Sequence, residues 1–159
     1  MKPSQPQTGW YALMGIHDTD PNNPNKEFAP EGWHVPSDAE WTTLEEYLIA
    51  NGYNYDGSTR RNLIAKSMAS TTGWNSRTET GAPGNDQSLN NSSGFNAFPE
   101  GGRNNSGLWL NEGESALIWS STEYNSSNVW FFDLLSSEPD LSSNRISRRH
   151  GLSVRFVKN

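Results

Sequence analysis

"PSDAEWTTLEEYLIANG" (residues 36–52) is the stretch that decides the fold, because it carries a complete set of helix signals. Ser37 and Glu40 have the spacing of a capping box, in which each side chain accepts a hydrogen bond from the other residue's backbone. The Asn51-Gly52 pair is a common helix terminator, since both residues tolerate the left-handed conformation. Apolar side chains recur between them at helical spacing: Trp41, Leu44, Tyr47 and Leu48. We therefore predict a helix between these two signals.

The other predicted elements are a weaker helix and several short strands. The second helix runs from about Thr59 to Met68, with Leu63, Ile64 and Met68 on one side. Beyond it the chain is rich in Gly, Ser and Asn, which favours long loops. Strands are predicted at residues 9–16, 95–98, 108–110, 116–120, 128–135 and 151–157. Helices followed by antiparallel-type strands are the order of an α+β fold.

The composition is that of a single domain with an aromatic core. The 159 residues include 7 Trp, 5 Tyr and 6 Phe, although only 32% of the chain is apolar. A few large rings therefore bury most of the core area. We predict a flexible N-terminal tail at residues 1–8 and one domain over residues 9–159. No stretch reaches the length of a membrane span and no secretory signal opens the chain, so membrane insertion is not expected.

Charge and residue types narrow the chemistry. The formal net charge of -6 disfavours nucleic acid as a partner, because phosphate binding needs a basic surface. The chain has no cysteine, which excludes disulfides, thiolate metal sites and a cysteine nucleophile. Asp18, Asp20 and Asn22 alternate as at the start of a calcium loop, but Asn23 stands where that loop needs glycine. The three histidines lack metal-ligand spacing, so we expect no metal and no cofactor.

The C-terminal stretch "WFFDLLSSEPDLSSNRISRRHGLSVRFV" (residues 130–157) has ordered ends and an unpatterned middle. It opens on three aromatic residues, and it closes on a strand in which Leu152, Val154 and Phe156 alternate with their neighbours. Between these ends Ser, Asp, Asn, Arg and His follow no clear period. The sequence thus places its least patterned segment between two strand signals.

Several motifs in order give the chain a resemblance to the Fibrobacter succinogenes major paralogous domain family. They are "EGWHVPSDAEWTTLEEYL" (31–48), "GWN" (73–75), "SGFNAFPEGGRN" (93–104), "IWSSTEYNSSNVW" (118–130) and "GLSVRFVKN" (151–159). The last motif departs from the family's usual Gly-Phe-Ser-Val-Arg-Cys-Val at Leu152 and Phe156. Ala29-Pro30 stands where the family often has Cys-Pro, so the disulfide of some members cannot form here.

The resemblance implies a C-type lectin-like fold with two helices, short antiparallel strands and long loops. Formylglycine-generating enzymes share that fold, but their chemistry uses cysteines, which this chain lacks. The sugar-binding calcium motifs of true C-type lectins are also missing. The resemblance therefore carries over the scaffold and not those activities.

The chain also resembles the variable proteins of diversity-generating retroelements, in which adenine-specific mutagenesis rewrites the end of a C-type lectin-like domain. Changes at Asn codons of the form AAC or AAT give every residue type except Lys, Glu, Gln, Met and Trp. Between Phe131 and His150 only Glu138 falls outside that set. The resemblance implies a variable region at about residues 119–150.

A varied surface needs a rigid frame that does not depend on it. We predict that the frame consists of Trp33, Trp41, Trp119, Trp130, Val154 and Phe156. The ligand-binding face is predicted to consist of Tyr124, Asn125, Ser127, Phe131, Phe132, Asp133, Leu135, Ser137, Asp140, Ser142, Asn144, Ile146, Ser147, Arg148, Arg149 and His150. One of Phe131 and Phe132 is expected to alternate into the core, and Leu134 and Leu141 are further core candidates.

Three functions fit these residues. The first is a non-enzymatic recognition domain on a bacterial surface or phage tail, outside the cell, which binds a protein or glycan ligand on a cell surface. Display as a homo-oligomer such as a trimer, or attachment to a larger surface or tail assembly, would strengthen weak binding. The second is an invariant accessory or structural domain of a secreted bacterial surface protein. The third is an enzyme acting on polysaccharide, for which Glu112, Glu114 and Glu123 are the clustered carboxylates of the C-terminal half.

Overall fold

The computed structural model describes residues 8–15 and 28–159. Its helices are α1 (Trp10–Leu13), α2 (Asp38–Ala50) and α3 (Ala65–Met68), with a 3-10 turn at Gln87–Leu89. Its strands are β1 (Thr8–Gly9), β2 (Trp33–His34), β3 (Gly102–Arg103), β4 (Trp109–Leu110), β5 (Ser115–Glu123), β6 (Asn128–Leu135), β7 (Leu141–Ser147), β8 (Gly151–Leu152) and β9 (Val157–Lys158). The described chain therefore mixes helix and strand, with strands dominant. Residues Asp18, Asp20 and Asn22 and residues 1–7 of the predicted tail lie outside the described residues.

Helix α2 forms where the sequence predicts it. The Ser37 hydroxyl accepts a hydrogen bond from the Glu40 backbone N–H at 3.3 Å, and the Glu40 carboxylate accepts one from the Ser37 backbone N–H at 2.8 Å. Trp41 and Leu48 are the buried residues of the helix, whereas Tyr47 is exposed. Gly52 follows the C-cap with a φ of +76°, a conformation that glycine adopts without strain.

The second predicted helix is much shorter than expected, because only its end forms α3. The Asn54 side-chain amide donates to the Ser58, Arg60 and Arg61 backbone carbonyls, and its oxygen accepts from the Leu63 N–H at 2.9 Å. These bonds occupy backbone groups that a helix would need, so this segment stays a loop. The apolar side predicted for it is nevertheless buried: Leu63, Ile64 and Met68.

The predicted strand at residues 9–16 is wrong over its described part, residues 9–15. The chain leaves β1 after Gly9 and turns at once into the short helix α1. Trp10 and Leu13 lie three positions apart, which puts both side chains on one side of a helical turn, and they are 2% and 0% exposed. Thr8 pairs with Leu152, so it belongs to a sheet rather than to the predicted tail.

Three small antiparallel sheets organise the described chain. Strands β5, β6 and β7 form a meander, the order of the second sheet is β1-β8-β3-β4, and β2 pairs with β9. The single strand predicted for residues 151–157 is split into β8 and β9, with an isolated bridge from Ser153 to Ile118. Gly102–Arg103 forms β3, whereas the strand predicted at residues 95–98 is reduced to one bridge between Ala97 and Ala69.

The three-stranded sheet carries a hydrophobic core on each of its faces. On one face Phe132 stacks on Trp41 of α2, with ring centroids 4.9 Å apart. On the other face Phe131 belongs to the cluster that contains Trp10 and Trp119. Successive strand residues point to opposite faces, so a strand between two cores buries neighbouring side chains alike. The remaining buried members from β5 to β7 are Ala116, Ile118, Val129, Leu134 and Leu141.

Candidate functional site: the outer face of the C-terminal hairpins

The structure divides the predicted ligand-binding residues into three groups by exposure. The exposed group is Tyr124, Asn125, Ser127, Asn144 and Arg149. The half-buried group is Leu135, Ser137, Asp140, Ser142, Ile146, Ser147 and His150. The buried group is Phe131, Phe132, Asp133 and Arg148. Only the first two groups can present atoms to a ligand without rearrangement of the sheet.

Phe131, Phe132 and Asp133 are therefore corrections to the predicted surface. They lie in β6, the central strand of the meander, and the two phenylalanines fill opposite cores. The sequence predicts that one of the two rings lies in the core, but both rings are buried there. Asp133 is 6% exposed and accepts a hydrogen bond from the Asn144 side-chain amide at 3.1 Å. Burial raises the pKa of the Asp133 carboxyl, and the Asp140 charge acts in the same direction.

Arg148 is also a correction to the predicted surface, because its guanidinium points inward and stabilises a turn. It donates to the Asn125 carbonyl at 2.6 Å, pairs with the Glu123 carboxylate at 2.8 Å and lies 4.8 Å from the Trp10 ring centroid. Asn125 itself shapes the turn, since its side-chain oxygen accepts from the Ser127 and Asn128 backbone N–H groups at 2.9 Å each. Both residues thus support the backbone between β5 and β6.

The exposed residues converge on a cluster of three side chains, which we call the aromatic–arginine cluster: Tyr124, Trp130 and Arg145. The Tyr124 and Trp130 rings meet edge to face, with centroids 5.5 Å apart and an interplanar angle of 84°. The Arg145 guanidinium lies 4.5 Å from the Tyr124 ring centroid and 5.7 Å from that of Trp130. Among the described residues no carboxylate pairs with Arg145, so its charge is available at the surface.

The sheet register explains why Trp130 and Arg145 meet, and Tyr124 joins them from the turn after β5, where its N–H donates to the Asn128 carbonyl at 3.0 Å. Trp130 of β6 is the direct cross-strand partner of Arg145 of β7, so both side chains project from the same face. Phe132 projects from that face too, two positions along, but Trp41 covers it. Trp130 lies nearer the strand end and remains half-exposed. The cluster is the outward continuation of a row of aromatic rings that begins in the core.

Two tryptophans assigned to the frame do not behave as core residues. Trp33 is 43% exposed, because β2 and β9 form an isolated two-stranded sheet at the surface. Trp130 belongs to the aromatic–arginine cluster instead. Of the other residues assigned to the frame, Trp41, Trp119 and Val154 are buried and Phe156 packs partly against the second core.

Sequence reasoning left Arg145 out of the ligand-binding set and did not foresee β7 at all. The alternation in "LSSNRIS" (141–147) is present, but its polar residues hide which positions share a face. Ser143 and Arg145 lie two and four positions after the buried Leu141, so they share its side of the strand. This period-two relation is the signal that could have found Arg145.

The clustered carboxylates considered for catalysis have structural partners. Glu114 accepts hydrogen bonds from Asn75 at 2.6 Å, from Ser136 at 2.8 Å and from Arg77. These bonds lower the pKa of Glu114, that from Asn75 most, and they tie a long loop to the end of β5. Glu123 pairs with Arg148, whereas Glu112 is exposed.

An apolar groove of about 700 Å³ lies apart from the predicted surface, between α2 and the C-terminal residues. Leu44 and Tyr47 line it from the helix, and Phe156 and Val157 line it from the other side. No sequence motif predicts this groove, because its walls come from segments that are far apart along the chain.

Comparison with known proteins gives one result at the family level. The family model described as the Fibrobacter succinogenes major domain matches residues 7–158. Searches of curated proteins and of solved structures found no significant match.

Proposed function

We propose that this chain, which belongs to the Fibrobacter succinogenes major domain family, is a non-enzymatic domain that binds a ligand through its C-terminal surface. The observation that carries the proposal is the aromatic–arginine cluster. Trp, Tyr and Arg are the residue types most often responsible for binding energy at interfaces. Here they occupy an exposed site on a rigid sheet, with an uncompensated guanidinium at 4.5 Å from the Tyr124 centroid. Ser143, two positions before Arg145 on the same face of β7, adds an adaptable hydrogen-bonding group, as in antibody loops.

The fold within this proposal is the C-type lectin-like fold that the family resemblance implies. The mixture of one long helix, short antiparallel strands and long loops is compatible with it. The C-terminal residue also packs back beside β2, since the Asn159 N–H donates to the Gly32 carbonyl at 2.9 Å. A fold closed in this way can carry an adaptable surface on an independent core.

Diversification by a retroelement is the finer part of the proposal. Changes would be tolerated at exposed positions such as Tyr124, Ser127 and Arg149. The buried Phe131, Phe132, Asp133 and Arg148 would have to stay constant. The locus tests this directly: a reverse transcriptase and a near-copy repeat should lie beside the gene, with differences only at adenines of the repeat. Differences spread over other template bases would overturn this part.

The setting that we propose is extracellular, on a bacterial surface or a phage tail, with a protein or glycan of a cell surface as ligand. Within the described residues no helix is long and apolar enough to cross a membrane. Self-association as a trimer, or attachment to a larger assembly, would use another face. Leu108 and the two residues of the edge strand β4, Trp109 and Leu110, are 61%, 64% and 47% exposed, which suits such a contact.

Binding to a panel of intact bacterial cells and to a glycan array tests the recognition function. Tyr124→Ala, Trp130→Ala and Arg145→Gln should each weaken the binding of the parent protein by at least about tenfold. The exposed Tyr47→Ala, Trp33→Ala and Arg60→Gln are matched controls on other surfaces and should leave it unchanged. Equal losses in both sets would contradict the assignment of the cluster.

An invariant accessory domain is the second candidate, and a specific observation favours it. Four residues of the predicted variable face are buried, and Asn125 and Arg148 hold a turn, which limits how far this segment can change. Identical residues 121–150 in related strains would support this candidate over diversification. The enzyme acting on polysaccharide stays a hypothesis, without a described pair of cooperating carboxylates to support it.

A further inference from the structure

A second surface site lies beyond the aromatic–arginine cluster, in a pocket of about 380 Å³ that we call the cationic pocket. Two arginines and one histidine line it together with a polar loop and two glycines: Gly9, Arg103, Asn104, Asn105, Ser106, Gly107, Arg149, His150 and Gly151. No aspartate or glutamate occurs among these described lining residues. A pocket with two positive charges in a chain of net charge -6 is a local reversal of sign.

Sheet pairing brings the two arginines into one pocket although they lie far apart in sequence. Arg103 of β3 is the cross-strand partner of Gly151 of β8, and Arg149 is two residues before that glycine. Gly151 also pairs with Gly9 of β1, so the floor between the arginines is backbone without side chains. The nearest atom to a Cβ on Gly151 would be the Arg103 Cβ at 3.5 Å, an ordinary van der Waals contact, so Gly151 lies directly against Arg103.

The Arg103 guanidinium is held in a fixed orientation by the loop beside it. Its Nε–H donates to the Gly107 carbonyl at 3.1 Å, and a Cβ on Gly107 would come within 3.0 Å of its Nη2. The loop is itself fixed, since the Asn104 side-chain oxygen accepts from the Ser106 and Leu108 N–H groups at 2.9 and 3.0 Å. Gly107, with a φ of +85°, thus lets the guanidinium lie against the backbone. No described residue accepts a hydrogen bond from the two terminal nitrogens of Arg103, which leaves both for a ligand.

Arg149 supplies the second guanidinium of the pocket. Arg149 makes no side-chain hydrogen bond or ion pair to any described residue. His150 points Nδ1 at the Ser147 carbonyl, 3.2 Å away, so Nδ1 carries the hydrogen. Guanidinium groups match oxyanions through paired N–H bonds, which are about twice as strong as bonds between neutral groups.

We propose that the cationic pocket binds an oxyanion, namely a sulfate, phosphate or carboxylate group, between Arg103 and Arg149. The inference deepens the proposed function by naming an anionic group as part of the ligand, since Arg149 and His150 belong to the predicted ligand-binding residues. Arg103 lies outside the predicted variable region, so it supplies a constant charge beside residues that can change. The shared chemistry admits a free anion and the charged group of a polysaccharide.

Nuclear magnetic resonance titration with inorganic phosphate and sulfate, at constant ionic strength, tests the pocket. We expect saturable shifts of the Gly107 and Gly151 amide signals and of the Arg103 and Arg149 Nε–H signals. Arg103→Gln and Arg149→Gln should each weaken phosphate binding by about tenfold. Arg60→Gln removes an exposed arginine elsewhere and should leave binding unchanged. Non-saturating shifts, or an equal loss in Arg60→Gln, would overturn the proposal.

Two further experiments complete the test. One distinguishes a free anion from an anionic group carried by a polysaccharide, and the other distinguishes the cationic pocket from the aromatic–arginine cluster. Dextran sulfate that binds the parent but not Arg149→Gln, with uncharged dextran inactive, would support a polysaccharide as the carrier. Phosphate binding without dextran sulfate binding would support a free anion in the same pocket. Tyr124→Ala and Trp130→Ala should keep full phosphate affinity, so a failure of the aromatic–arginine cluster in cell binding is distinguishable from a failure of this pocket.

Discussion

The Arg148 guanidinium lies 4.8 Å from the ring centroid of Trp10, which joins the turn after β7 to the first described helix. Arg148→Ala should lower the free energy of unfolding by about 2 kcal/mol, because the Asn125 carbonyl and the Trp10 ring both lose a buried cation. Urea unfolding measures this loss. Arg149→Ala is the matched control, since that neighbour is exposed, and its effect should stay within about 0.5 kcal/mol. Similar effects for both arginines would argue against the role given to Arg148.

Phe132 should behave as a core residue and not as part of a binding surface. Phe132→Ala removes a ring stacked on Trp41 and should cost about 3–5 kcal/mol of stability. Tyr124→Ala removes an exposed ring from the aromatic–arginine cluster and should cost much less. Thermal and urea unfolding of both variants compare them. A small loss for Phe132→Ala would mean that this ring is not enclosed between α2 and the sheet.

Asp133 should make stability depend on pH. Its raised folded-state pKa means that the native state favours the protonated carboxyl, so the ionised form costs stability at neutral pH. That cost should fall as the pH is lowered through the folded-state pKa towards the ordinary aspartate pKa of about 3.9. Asp133→Asn keeps an acceptor for Asn144 and cannot ionise, so it should be more stable than the parent at pH 7.

The difference between the parent and Asp133→Asn should therefore shrink on acidification. Unfolding in urea at a series of pH values gives this difference directly and cancels the titration of other groups. Glu138→Gln removes an exposed carboxylate of the same segment and serves as the control. A constant difference across the series would show that the Asp133 charge does not carry the effect.

The capping box of α2 should contribute measurably to stability. Ser37→Ala removes the acceptor for the Glu40 N–H and should cost about 1 kcal/mol. Thr42→Ala on the exposed face of the same helix is the control, and it should be neutral or slightly stabilising because alanine has the higher helix propensity. Circular dichroism during urea unfolding reports both. Equal changes would assign the effect to helix propensity rather than to the cap.

The apolar edge strand β4 should promote self-association. Trp109→Ser removes a side chain that is 64% exposed and should lower the average mass seen in sedimentation equilibrium at high concentration. Tyr47→Ser alters another exposed ring, on α2, and should leave that mass unchanged. A parent protein that sediments as a monomer at every concentration would remove the proposed role of β4.

The elements that the sequence predicted correctly are those that depend mainly on residues close together along the chain. The cap at Ser37 and Glu40 and the strand at residues 128–135 are found where local signals place them. The strand β7 was missed because its residues are mostly polar. It becomes a strand only by pairing with β6. The strand expected at residues 9–16 gave way to α1 because burial of Trp10 and Leu13 on one side outweighs local strand propensity.

The sequence by itself determined the α+β composition, the position of α2, the aromatic character of the core and the motifs of the family. Only the tertiary structure decided which side chains are available to a ligand. A period-two pattern separates the two faces of a strand, but it does not say whether one face or both will be covered. Since β6 lies between two cores, Phe131 and Phe132 are both buried, while the β6–β7 register brings Trp130 and Arg145 together at the surface beside Tyr124.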